Sequence, residues 1–260
     1  MIEIAAVVSG AFTGVIVGMT GVGGGAIMTP ILILLLGVAP GTAVGTDLLF
    51  ATITKLLAVK VHGAHGTIDW QIVRRLAWGS IPAACATLLV IHQFALSDGL
   101  GEIIMPALGI ALVMTAIAML LRQRLHEFGR RWRTGTPDVF KQLQPGLTVA
   151  AGAVLGALVT LTSIGAGALG TVMLVYLYPL RLTPSRLVGT DLAHAVPVAL
   201  IAGLGHLMLG NINFALLGWL LLGSLPGVWI GSHISVKAPD GLIRGAIAVI
   251  LLLVGARILS

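Results

Sequence analysis

The sequence predicts an all-α polytopic membrane protein built from two inverted repeats, on three observations. Charged residues make up 9% of the chain and hydrophobic ones 57%, whereas a soluble domain carries about a quarter charged residues to keep its surface wetted. Ten apolar segments follow one another, separated only by glycine, proline or charge. The chain also repeats itself: shifted by 144 positions, residues 21–82 match 165–226 at 19 of 62 positions without a gap.

The segments run at about 4–19, 26–37, 41–61, 70–92 and 101–121, then 146–162, 167–179, 184–209, 213–233 and 240–258. Most are long enough to span about 30 Å of hydrocarbon at 1.5 Å per residue. Segments 26–37 and 167–179 are not, because a dozen helical residues cover only about 18 Å. They read as half-helices or re-entrant elements, each entered through a glycine-rich break. The 35 glycines fit close helix approach in a bilayer.

The repeat is sharpest where Pro40-Gly-Thr-Ala-Val-Gly-Thr-Asp-Leu48 aligns with Pro184-Ser-Arg-Leu-Val-Gly-Thr-Asp-Leu192. His62 pairs with His206, and Gly79-Ser-Ile-Pro82 with Gly223-Ser-Leu-Pro226. The chain therefore divides into a first repeat (1–121), a basic linker (122–145) and a second repeat (146–260). Five segments per half is an odd number, so the halves should face opposite ways.

The charges fit that arrangement. Six of the fifteen basic residues lie in the linker: Arg122, Arg124, Arg130, Arg131, Arg133 and Lys141. With the linker cytoplasmic, the loops carrying Lys60, Arg74 and Arg75, then Arg181 and Arg186, then Lys237 and Arg244 fall on the same side. The loops with Asp98 and Glu102, and with Gly210-Asn-Ile-Asn213, fall outside, as do both termini. This is the distribution that orients membrane proteins, so the net charge of +6 is no nucleic-acid footprint. The lone Cys85 excludes an internal disulfide, and no cleavable signal peptide is evident at the N-terminus.

The candidate site lies at the two breaks, Thr20-Gly-Val-Gly-Gly-Gly25 and Ser163-Ile-Gly-Ala-Gly167. Irregular backbone at membrane depth leaves N–H groups that lipid cannot satisfy. Glycine lets the chain turn there, and the following helix presents its positive dipole end, which suits a small anion. Two such breaks in inverted repeats would meet near the midplane, as in secondary transporters. The alternative is that the glycines serve helix packing alone. Candidate binding residues are Thr20, Gly21, Gly23, Gly24, Gly25, Thr46, Asp47, Lys55, Ser163, Gly165, Gly167, Thr190, Asp191 and His194. The hydroxyls of Thr20, Thr29, Thr46, Thr162, Ser163 and Thr190 either donate to an oxyanion or bond back to helix carbonyls.

Asp47 and Asp191 either hold the broken loops in shape or act as proton-coupling acids; their duplication favours the structural role. Lys55 has Ala199 as its counterpart, so it breaks the symmetry. It either binds the anion or pairs with Asp47, or it snorkels to the interface. His194 stands where the first repeat has Phe50 and reads best as a packing histidine. His62, His65 and His206 read as interfacial caps.

The glycine-rich break, the Pro-x-x-x-x-Gly-Thr-Asp-Leu motif in both halves and the His62-x-x-x-Gly-x-Ile-Asp69 segment resemble the TauE/SafE family, the sulfite exporter group of permeases. The likeness covers nearly the whole chain. It implies transport of sulfite, sulfonates or related sulfur anions across an inner membrane, usually as export. Family members often carry Ser where Asp47 and Asp191 stand. A membrane enzyme is the competing class, yet no His-Glu-x-x-His, no Gly-x-Ser-x-Gly with partners and no Walker lysine is present, and no cofactor motif. An anion channel is the other competitor; saturable, gradient-coupled flux separates it from a carrier.

Overall fold

The computed structural model describes residues 2–20, 25–95, 100–135, 137–165, 167–235 and 240–260. Every apolar segment forms a helix: α1 (Ile2–Thr20), α2 (Gly25–Leu34), α3 (Pro40–Ala64), α4 (Trp70–Ala95), α5 (Leu100–Gly135), α6 (Pro137–Thr162), α7 (Ala168–Leu177), α8 (Pro184–Met208), α9 (Phe214–Ser235) and α10 (Asp240–Leu259). No strand occurs among the described residues. Among the described residues, five of the helices, α3, α4, α5, α6 and α8, are long and apolar enough to cross a membrane. Side chains such as Trp78, 76% exposed, and Met208, 88% exposed, lie on the outer surface; such a surface calls for hydrocarbon as its solvent.

The short helices are shorter than expected. α2 and α7 have 10 residues each, about 15 Å of rise. The basic stretch 122–145 is not the loop the charges suggest. α5 continues to Gly135 and α6 already starts at Pro137. Arg and Lys favour helix as well as loop, so charge marks where lipid ends without marking where helix ends. Phe128, Trp132, Phe140 and Tyr176 cluster there, with Trp132 edge-on to Phe140 at 5.1 Å.

α3 packs against α8, α5 against α10, α1 along α9 and α4 along α6. The first two pairs run antiparallel. At one end of α3, the Asn213 N–H donates to Thr46 Oγ1 at 3.1 Å; at the other, the Asp69 N–H donates to Thr190 Oγ1 at 2.9 Å. The α1–α9 and α4–α6 pairs run parallel, and their backbones touch through glycine. A Cβ on Gly10 or Gly14 would strike the carbonyls of Leu220 and Ser224; one on Gly152 or Gly156 would strike those of Leu76 and Ser80. Close approach of this kind is how small residues join helices in lipid.

The two loops that follow α3 and α8 are built alike. Gly66 and Gly210 each adopt positive φ, 64° and 73°. Asp69 Oδ1 then accepts from the Ile72 N–H, and Asn213 Oδ1 from the Leu216 N–H, 3.3 and 3.0 Å. Each caps the next helix, α4 or α9, by satisfying an orphan donor.

Candidate functional site

The centre of the molecule is the α3–α8 crossing, flanked by α2, the α6–α7 connection and α4. α6 ends at Thr162, whose hydroxyl bonds back to the Leu158 carbonyl and accepts the Ile164 N–H. The chain then turns sharply. Ser163 (φ 59°), Gly165 (φ 126°) and Gly167 (φ 114°) all take the left-handed region that L side chains avoid. The α7 helix opens directly afterwards at Ala168. Gly21, Gly23 and Gly24 of the first-half break lie outside the described residues, while Thr20 ends α1 and Gly25 opens α2.

Each short helix is faced by the aspartate of its own half. The carboxylate of Asp191 lies against Gly170, where any Cβ would collide with Oδ1, and it accepts the backbone hydrogen bond of Gly167. Asp47 accepts the Thr29 hydroxyl at 2.6 Å. The difference follows from sequence. The positions matching Gly170 and Thr29 are Ala26 and Met173, so only the first half offers a hydroxyl and only the second has room at the helix start. Ser163, from the second-half break, stands beside Asp47 without closing a hydrogen bond to it.

Lys55 does not snorkel. It is only 6% exposed and sits within electrostatic reach of both carboxylates, Asp191 more strongly than Asp47. Asp47 and Asp191 are themselves 0% and 2% exposed. An ammonium and two carboxylates from both halves are thus buried together. One oxygen of each aspartate, Oδ1, has no hydrogen-bond partner among the described residues, nor has Ser163 Oγ.

The other candidates are placed differently. Thr46 and Thr190 are buried, and their oxygens accept the Asn213 and Asp69 N–H groups, which ties the two halves together. His194 is buried with Nε2 2.9 Å from Ser80 Oγ, while its Nδ1 has no partner among the described residues. His62 caps its helix end, with Nδ1 2.7 Å from Thr67 Oγ1. His206 corrects the interfacial reading, for it is fully buried with Nε2 3.0 Å from the Thr160 carbonyl. Equivalent sequence positions met different neighbours.

One contact was not legible in the sequence. Arg181, after α7, grips Asp69 with two bonds of 2.8 and 2.9 Å and also donates to Gln71 at 2.8 Å. At the opposite end the matching positions are Gly37 and Asn213, so no ion pair can form there.

Comparison with known proteins decides the class. The model of the family described as "Sulfite exporter TauE/SafE" matches residues 6–258. The chain belongs to the TauE/SafE sulfite exporter family. It is 39% identical over 265 residues to the probable membrane transporter protein YjnA of Bacillus subtilis, covering 99% of this chain and all of that one. Two further Bacillus subtilis proteins, the probable membrane transporters YdhB and YunE, are each 24% identical, covering 90% and 97% of this chain and 91% and 96% of their own. No solved structure matches the chain significantly. As a TauE/SafE protein with this many apolar helices, the chain is a multi-pass membrane transporter.

Proposed function

We propose that this transporter is a secondary carrier that exports a small sulfur oxyanion or organosulfonate across a bacterial-type inner membrane. Its anion would bind where the breaks before α2 and α7 meet the Asp47, Lys55 and Asp191 cluster. The observation that carries this is the α6–α7 connection: three left-handed residues lead into the α7 N-terminus, beside a buried Asp191 that has the buried Lys55 ammonium as a charge partner. Backbone N–H groups and a helix dipole of about half a charge attract an anion there, and Lys55 adds a full one.

The two halves are read as inverted repeats around this site. Supporting that are the antiparallel α3–α8 and α5–α10 pairs, and the matched hydrogen bonds Asp69 to Thr190 and Asn213 to Thr46. Those bonds join positions offset by the same 144 residues as the sequence repeat. In this reading α2 and α7 are the half-helices of a midplane site, the basic ends lie in the cytoplasm and both termini lie outside.

The test is a thermal-shift screen of the purified protein against sulfite, sulfate, thiosulfate and short sulfonates, followed by flux in proteoliposomes. A bound anion raises the melting temperature by mass action, and the anion that does so should show saturable flux. Linear, non-saturating flux would mean a channel. No shift and no flux with any of them would remove the sulfur-anion reading.

A further inference from the structure

The ammonium of Lys55 is outnumbered. With Asp47 and Asp191 ionised, two carboxylates face one ammonium in a compartment where all three side chains are 6% exposed or less. The compartment is therefore anionic before any anion arrives. Adding a further negative charge, away from water and amid lipid-facing helices, is among the costliest steps a membrane protein can take. Two half-helix dipoles offset only part of it. The cluster also has acceptors to spare, since Asp47 Oδ1 and Asp191 Oδ1 have no hydrogen-bond partner among the described residues.

Resting on the anion-carrier reading, we infer that each anion enters this cluster together with one proton, which bonds to Asp191 Oδ1 as Lys55 turns from Asp191 to the anion. The step is balanced: the carboxylate gains a proton and becomes a neutral acid, the ammonium keeps its three, and the anion's charge is met by Lys55. Release reverses it, with the proton leaving Asp191 and Lys55 returning to the carboxylate.

Asp191 is the acceptor for a geometric reason. Lys55 is its principal charge partner, whereas Asp47 keeps the 2.6 Å Thr29 hydroxyl when Lys55 turns away. Asp191 has the Gly167 N–H, and its Oδ1 has no partner among the described residues. A proton suits the compartment better than a sodium ion does. A metal ion would compete with the Lys55 ammonium for the same carboxylates, whereas a proton needs only a single oxygen. Among the described residues, charged and titratable groups that act on Lys55 include Asp47 on its own helix and Asp191 and His194 on α8. α4 contributes Ser80 to His194, α2 contributes Thr29, and the α6–α7 connection contributes Ser163, none of which titrates.

The test is calorimetry on the full-length protein in lipid nanodiscs, near neutral pH, with thiosulfate or ethanesulfonate, neither of which takes up a proton there. Repeating the titration in buffers of different ionisation enthalpy counts the protons taken up per anion. The wild type should take up one, and its affinity should weaken about tenfold for each unit of rising pH. Asp191→Asn should bind the anion with no proton uptake and a flat pH profile. His194→Gln, which leaves both carboxylates and the ammonium in place, should keep one proton per anion. Anion binding by the wild type without proton uptake overturns the inference and leaves the carrier reading standing. So does sodium-dependent affinity without uptake, which would replace the proton by a metal ion. Loss of uptake in Asp47→Asn or His194→Gln but not in Asp191→Asn overturns the assignment to Asp191. Absence of binding by every anion overturns the carrier reading and this inference with it.

Discussion

Arg181 holds Asp69 through two hydrogen bonds of 2.8 and 2.9 Å, and the same aspartate gives its backbone N–H to Thr190. One residue of the first half thus ties down both the end of α7 and the start of α8. The matching Asn213 at the other end of the molecule keeps the backbone bond to Thr46 and the cap on α9 but has no cation to grip. The two ends of the core are therefore locked unequally.

That inequality predicts an order of severity at position 69. Asp69→Asn should keep the α4 cap, as Asn213 does for α9, and lose only the ion pair. Arg181 is 41% exposed, so the pair itself contributes at most about 1 kcal/mol. Asp69→Ala loses the cap too and should cost about 1 kcal/mol more. Arg181→Lys keeps the charge without the fork and should fall between wild type and Arg181→Ala. Thermal unfolding in detergent ranks all four.

Glycines at helix contacts should be far less replaceable than glycines facing outward. A methyl on Gly223 would strike the Val7 carbonyl, and one on Gly79 the Val149 carbonyl. Either Ala variant should lose about 1–3 kcal/mol by forcing the helices apart. Gly218→Ala meets nothing within 4 Å and should be neutral or slightly stabilising through helix propensity. Unfolding temperatures measured side by side would expose an error if the three behaved alike.

At the α6–α7 connection, Gly167→Val places a branched side chain on a backbone at φ 114°. The turn must rearrange, moving the α7 N-terminus and the N–H that Asp191 accepts. Flux in proteoliposomes should fall at least tenfold while the protein still inserts. Wild-type flux in this variant would make the connection a packing device.

Removing Lys55 should separate stability from affinity. Lys55→Ala leaves two buried carboxylates uncompensated, and breaking a buried ion pair costs about 3–5 kcal/mol. Adding Asp191→Asn removes one of those charges and should restore much of the stability without restoring anion affinity. Lys60→Ala, at an exposed position, should change neither. Paired calorimetric titrations and melting curves read both quantities. Affinity returning with stability in the double variant would remove Lys55 from the anion site.

Topology follows from the basic ends. A cysteine at the exposed position 130, with the exposed Cys85 replaced by Ala, should react with an impermeant maleimide only after the cells are opened. Labelling from outside intact cells would reverse the orientation.

By itself the sequence determined the number and kind of helices and the two short ones. Hydrocarbon demands long apolar runs with every backbone group paired, and such runs are visible without a structure. It also marked the left-handed connection at Ser163-Ile-Gly-Ala-Gly167, since glycine spacing reports backbone freedom directly. It missed that residues 122–135 and 137–145 are helical, because basic residues mark an interface and yet favour helix. Only the tertiary structure decided what the polar residues do. His62 and His206 are the same residue at matching positions, yet one caps a half-buried helix end and the other is sealed against Thr160. Thr46 and Thr190 bond across to the opposite half, and Lys55 is buried where snorkelling was equally open. Burial and partnership depend on which helices cross where, and a contact between α3 and α8 joins residues far apart in the chain. Local pattern fixes the helices; the side chains' partners are set by how those helices meet.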